Sequence, residues 1–443
     1  MSTRWSTMSL GVVLGVMLAW PSMAQPVLPH EPGEDGRIPQ VYAALTNTHV
    51  VDVRTGNVLR DAVVVVRDGR IVSVSTDAPP AEATVLDLEG IHLLPGFMDG
   101  HWHGETLEGA RRALESGVTT MKSAAVGNYV DVQMRELSKQ GYIAGPDIRA
   151  AGVYVRPNLG MSALADPRLH KYLNKQVHGP EAVAEVASVD VERGVDWIKT
   201  RTSGTTSGPN GPDPKMVIYT EEEISAIVEE VIPHGVKVAC HSHGKQTLLN
   251  AVNGGCHVIE HGTYMDEEVL QLMKAQGTAW SPTFTSVVGF LQPHDDYNSS
   301  ATHIRGPHML HFMRQSIKLA SDMGVPLITS TDTQYGPRSN NRIYREITNF
   351  VDIGLTPLQA LQSATIVSAE IYEIQDETGA IEPGLEADLV GVDGNPLEDI
   401  WAVHEPMFVM SNGRFVMHRS WDPKKHVGRK VEISGFGAGG PLP

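Results

Sequence analysis

The chain has 443 residues and a formal net charge of −17, with 41% hydrophobic and 20% charged residues. That composition can bury a full core and excludes a disordered chain, and the acidic balance excludes a nucleic-acid binder, which needs a basic face against phosphate. Two cysteines exclude a disulfide scaffold and a cysteine zinc knuckle, whereas nineteen histidines are many, so their positions carry the information.

In chain order, Arg4 followed by an apolar run over 8–20 and the small-residue stretch Pro21-Ser22-Met23-Ala24 predicts a signal peptide over 1–24. The expected location is periplasmic or secreted, with no stable membrane insertion after cleavage. Residues 25–40 are rich in Pro, Gly and acid and read as a flexible leader. Residues 41–92 pattern as β-structure, with a hairpin formed by 63–66, the turn Asp68-Gly69, and 71–74. From residue 93, short apolar runs alternate with amphipathic helices, the pattern of βα units. Thr220 with Glu223, and Thr356 with Gln359, are capping boxes, and Gly194, Gly277 and Gly324 each stand where a helix should end. Strands are expected near 93–99, 118–123, 148–154, 195–199, 236–241, 257–261, 279–284 and 327–332, which predicts a (β/α)8 TIM barrel over 93–377. β-Patterning returns over 378–420, so both termini are expected to build one small β-sandwich, and 421–443 is a C-terminal tail.

The chemistry-bearing residues stand where the apolar runs stop. His101 and His103 follow the first run, Lys199 ends the fourth, His241 and His243 the fifth, His261 the sixth and Asp332 the eighth. In such a barrel these ends meet on one face. Imidazole and carboxylate suit a borderline divalent ion such as zinc. His101 and His103, two apart in an extended strand, point the same way and chelate. An ammonium has no lone pair to offer a metal, but a desolvated Lys199 beside cations loses its proton, and the neutral amine adds CO2 to give an anionic carbamate. An ordinary lysine beside a one-metal site is the other reading. Any single histidine at such a place is ordinarily structural; four converging with a lysine and an aspartate are the signal.

The run Pro95-Gly96-Phe97-Met98-Asp99-Gly100-His101-Trp102-His103 resembles the HxH signature of the amidohydrolase superfamily. His241, His261 and Asp332 are similar to its ligands after strands five, six and eight, and 382–390 looks like the segment that returns such chains to their terminal β-structure. The resemblance spans 41–420. Lys199 points to the binuclear branch with a carboxylated lysine, and Trp197-Ile198-Lys199 and Val238-Ala239-Cys240-His241 look most like its imidazolonepropionase-related prolidases, carboxypeptidases and ochratoxin-hydrolysing members. The resemblance implies two divalent metal ions, most plausibly zinc, held by His101, His103, Lys199, His241, His261 and Asp332, with CO2 as the Lys199 carbamate. It implies a homo-oligomer that hydrolyses the amide bond of dipeptides or N-acyl amino acids through a metal-bridging hydroxide, with Asp332 as the catalytic proton shuttle. A lactone, cyclic amide or phosphoester hydrolase on the same site is the alternative, and a non-enzymatic barrel is opposed by the complete ligand set. His243 is a candidate for substrate binding or for support of the other histidines.

The sequence departs from the resembled group at the third strand, where Ile148–Tyr154 and then Val155-Arg156-Pro157 replace a Gly/His-rich segment, and in the Gly/Pro-rich stretch 202–218. Arg156, Arg201, Arg338 and Arg342 are equivalent candidates for a substrate carboxylate. Cys240 and Cys256 are expected to be free buried thiols. With His241 and His261 level in adjacent extended strands, they stand about 13 Å apart, beyond the roughly 7 Å between Cα atoms that a disulfide spans.

Overall fold

The computed structural model describes residues 31–206, 213–292, 296–297 and 299–418. The predicted signal peptide over 1–24 and the tail over 421–443 lie outside the described residues. Fifteen strands follow in order: β1 (Ala43–Val51), β2 (Val58–Arg67), β3 (Arg70–Ser75), β4 (Thr84–Asp87), β5 (His92–Pro95), β6 (Phe97–Trp102), β7 (Val118–Ser123), β8 (Asp147–Arg149), β9 (Trp197–Arg201), β10 (Lys237–Ser242), β11 (Val258–His261), β12 (Ala279–Ser281), β13 (Leu389–Val392), β14 (Pro406–Ser411) and β15 (Arg414–His418).

Strands from both ends of the chain make one mixed sheet in the order β15-β14-β13-β5-β1-β2-β3, with β4 also paired to β1. The predicted hairpin is β2–β3, with Gly69 in the left-handed region at its turn. The expected sandwich differs in detail: hydrogen bonding links these strands into a single forked sheet, because β1 pairs β4 with its first half and β5 with its second. The sheet folds over one apolar cluster that joins Leu45, Val64 and Ile71 to Leu389, Phe408 and Met410.

The middle of the chain has the TIM-barrel-like α/β arrangement. Parallel strands β6-β7-β8 form one sheet and β9-β10-β11-β12 another. Single parallel bridges connect them, Val155 to Thr200 on one side and Trp280 to Leu327 and Trp102 to Thr333 on the other. The eighth position is therefore occupied by the stretch 327–333, which pairs in both directions but too intermittently to make a regular strand. Backbone bonds from Ile328 N to Trp280 O and from Asp332 N to His101 O hold it.

The barrel strands are buried on both sides, and their side chains alternate between two apolar clusters. Trp197 and Ala239 point into the barrel with Ile328 and with Ala125, Ala151 and Ala279, small residues that leave room for the indole. Ile198, Val238 and Cys240 point outward, into the layer between strands and helices. Those helices carry the predicted end signals: both capping boxes form, on the helices Glu221–Val231 and Pro357–Ser363, and Gly277 and Gly324 close theirs in the left-handed conformation. No helix of the described residues is long and apolar enough to cross a membrane.

The cysteine expectation is corrected. Cys240 and Cys256 form a disulfide, with Cα atoms 6.1 Å apart. The strand register places Cys240 opposite Ile259, but Cys256 precedes β11 and lies outside the strand. Its N–H donates to Ala251 O at the end of the preceding helix, so the chain turns back toward the outer face of β10 rather than running straight past it.

Candidate metal centre and active site

The predicted residues converge. His101, His103, Lys199, His241, His243, His261 and Asp332 all line one cavity of about 140 Å3 at the C-terminal ends of the barrel strands. The ring nitrogens of His101 and His103 come within 3.1 Å of each other, so the two-residue spacing does aim both inward. Asp332 Oδ1 stands 3.5 Å from His101 Nε2 and 3.4 Å from His103 Nε2. Two triads have donor atoms all within 4.8 Å: His101, His261 and Asp332, and His241, His243 and His261. His261 belongs to both, and His243 stands with His241 rather than apart.

Backbone conformation does part of this aiming. Val258 and Glu260 face the barrel interior, so strict alternation would turn His261 away. His261 adopts φ 69° and Asp332 φ 52°, a left-handed conformation that non-glycine residues adopt at a cost and keep where the surroundings enforce it. The second nitrogens are tied down. His261 Nδ1 lies 2.8 Å from Thr283 Oγ1, His243 Nδ1 lies 2.8 Å from Thr263 Oγ1, and His241 Nε2 lies 2.7 Å from Gly204 O. His101 Nδ1 and His243 Nε2 are buried without a hydrogen-bond partner.

The electrostatics favour neutral imidazoles. Burial, then the positive charge of Lys199 or Arg201 and neighbouring rings, holds His101, His241 and His261 far below the usual histidine range, and His243 at about 3. Burial, then Lys122, pulls the Lys199 ammonium well down. Burial pushes the Asp332 carboxyl up, but its electrostatic interaction with the His101 and His103 rings and the bond from the Tyr297 hydroxyl, at 2.6 Å, outweigh it and hold Asp332 well below the usual carboxylate range.

Two residues of this network were not anticipated. Glu260 accepts from Lys199 and, at 2.9 Å, from Lys122, and its Oε1 is 3.3 Å from His101 Nδ1. All four side chains are buried. Lys122 is the penultimate residue of β7 and Glu260 lies on β11, so their ion pair crosses the barrel beneath the histidines. Both were legible as charges on the inward face of apolar strands, two residues after Thr120 and Val258. Among the arginine candidates, Arg201 lines the histidine cavity and Arg156 a larger adjoining cavity of about 490 Å3. Arg342 instead bonds to Asn341 O and Gly336 O, and Arg338 lines neither cavity.

Known proteins resemble this chain in sequence and fold. An ochratoxinase of Aspergillus niger is 25% identical over 399 residues, covering 80% of this chain and 82% of that protein. The crystal structure of a Xaa-Pro dipeptidase with bound methionine in the active site superposes with a TM-score of 0.73 at 25% identity, covering 84% of this chain and 99% of that one. A putative prolidase from Bifidobacterium longum gives 0.75 at 26% identity, over 87% and 98% of the two chains. The amidohydrolase family model matches residues 92–416, the whole barrel with β13, β14 and part of β15, and the chain belongs to this family of hydrolases acting on carbon–nitrogen bonds.

Proposed function

We propose that the protein is a binuclear metal-dependent hydrolase, built on a (β/α)8 barrel, that cleaves the amide bond of dipeptides or N-acyl amino acids. The observation that carries this reading is the convergence of four histidines, Lys199 and Asp332 on one small cavity. The donor set fits divalent ions: the imidazoles are held neutral, His243 Nε2 is buried without a hydrogen-bond partner, and the donor atoms of each triad lie within 4.8 Å of one another. His101, His103 and Asp332 would hold one ion and His241 and His261 the other, with Lys199, as its carbamate, between them. Two ions held by these residues would supply an activated water at neutral pH and polarisation of the substrate carbonyl.

The chain's own groups do the rest. Asp332, ionised and oriented by the Tyr297 hydroxyl, takes the proton of the attacking water. It returns that proton to the amide nitrogen as the carbon–nitrogen bond breaks, so that an amine and a carboxylate leave. His243, anchored by Thr263, presents its free Nε2 to the same cavity. Glu260 and Lys122 fix Lys199 and His101 from below.

The test is metal content by elemental analysis, with turnover of N-acyl amino acids before and after chelation. About two zinc per chain, and amino-acid release that is lost on chelation and restored by zinc, is expected. Absence of metal and of activity after zinc is restored overturns the reading, and turnover of lactones or phosphoesters instead redirects it. The reading also includes export and homo-oligomerisation. The Cys240–Cys256 disulfide supports export, since such bonds persist in oxidising compartments. Cell fractionation and light scattering test the two points.

A further inference from the structure

The wall between the two cavities carries three donor atoms that have no hydrogen-bond partner among the described residues. Tyr154 lines both cavities, Arg201 the one with the histidines and Arg156 the larger one. The guanidinium carbons of Arg156 and Arg201 lie 5.6 and 5.7 Å from the centre of the Tyr154 ring. The Tyr154 hydroxyl, Arg156 Nε and Arg201 Nε are buried without a hydrogen-bond partner. Among the described residues neither arginine makes an ion pair, and the one side-chain contact of Arg201 is from Nη2 to His241 Nε2, at 3.2 Å. An unpaired buried donor is unfavourable until something completes it, and guanidinium offers donors only. The missing partner is therefore an acceptor, and an anion matches two cations best.

One carboxylate needs one guanidinium. Two of them gathered at a single ring match a ligand whose two negative charges are joined by a short carbon chain. The larger cavity is not a general sink for anions, because Glu105 and Asp296 also line it, so Arg156 must act by direct pairing. The cavity with the histidines, about 140 Å3, has room for little beyond the reacting amide.

We propose that Tyr154, Arg156 and Arg201 form a recognition site for two carboxylates, and that the substrate is an amide of an acidic amino acid, an N-acyl or peptidyl glutamate or aspartate. The inference rests on the amidase reading above. One guanidinium takes the α-carboxylate and the other the side-chain carboxylate, with the Tyr154 hydroxyl donating to one of them.

The test compares N-acetylglutamate with N-acetylglutamine, which differ by one charge at constant shape. The wild-type enzyme is expected to prefer the glutamate by about ten- to a hundredfold in kcat/KM, as for a charge-assisted hydrogen bond. Arg156→Met is expected to bring the ratio toward one, and Arg156→Lys to restore part of it. Equal kcat/KM for the two in the wild type overturns the proposal while leaving the amidase reading intact. If neither is hydrolysed the amidase reading fails, and binding then decides. Glutarate raising the unfolding temperature of the wild type more than butyrate does, with the difference lost in Arg156→Met, supports the two-carboxylate site. Equal shifts overturn it.

Discussion

Among the described residues, two places bring three potential metal ligands within 4.8 Å of one another: His101, His261 and Asp332 at the barrel mouth, and Asp147, Glu386 and Asp388 where the barrel meets the terminal sheet. Their geometry is alike and their electrostatics are opposite. At the mouth, imidazoles and Tyr297 surround the one carboxylate and keep it ionised. At the junction, burial and then the neighbouring carboxylates push Asp388 up to about 8 and Glu386 to about 7. The junction cluster is also occupied internally: Asp388 accepts from Asn412 N and Thr378 Oγ1, and Asp147 from Asn412 Nδ2. Closeness of ligand atoms therefore does not distinguish a metal site from a proton-sharing joint. The charge and the satisfaction of the surrounding groups do.

The largest expected effect is at the mouth. Asp332→Asn should lower kcat by about 10²–10⁴-fold, the usual worth of a positioned proton carrier, while elemental analysis finds most of the metal retained. Near-normal turnover removes Asp332 from its role. Asp388→Asn should leave the metal content unchanged, and a lost metal there would erase the contrast between the two clusters. Beneath the mouth, Glu260→Gln leaves Lys122 buried and unpaired, which costs about 3–5 kcal/mol for such a broken pair. A urea unfolding midpoint reads this loss, and adding Lys122→Met should recover much of it. Removing the disulfide by Cys240→Ala with Cys256→Ala should cost about 3 kcal/mol, the expectation for a closed loop of this size; the bridged residues are 16 apart. The smallest effect is a slope. The folded Asp388 binds its proton more tightly than the unfolded chain does. That contribution to stability is present in full below the ordinary carboxylate range and is lost as pH rises through about 8. The unfolding temperature should fall from pH 5 to pH 9, and less steeply in Asp388→Asn.

Sequence reasoning reached the parts governed by local rules. The β2–β3 hairpin, the capping boxes at Thr220 and Thr356 and the left-handed glycines at helix ends each depend on residues close in the chain, and they formed where expected. The convergence of His101, His103, Lys199, His241, His261 and Asp332 followed from counting strands, because every strand of a parallel barrel delivers its C-terminal end to one face. The inward charges Lys122 and Glu260 obeyed the same two-residue period. They were missed because each looks unremarkable alone and acquires meaning only when the barrel brings the two strands together.

Other features belong to the tertiary structure. The Cys240–Cys256 bridge depends on the chain turning back before β11, which a straight-strand estimate cannot contain. The sheet that joins both termini is one forked sheet because β1 is shared between two parallel partners, a matter of register between segments distant in sequence. The choice among four arginines was equally non-local: Arg156 and Arg201 are separated from each other in the chain and meet only at the ring of Tyr154. Residue identity and period determined which groups this protein turns inward and toward which end of the barrel. Only the packing of strand against strand decided which of them touch, which are neutralised and which are left open to a ligand, because burial and mutual charge depend on neighbours that the linear sequence does not name.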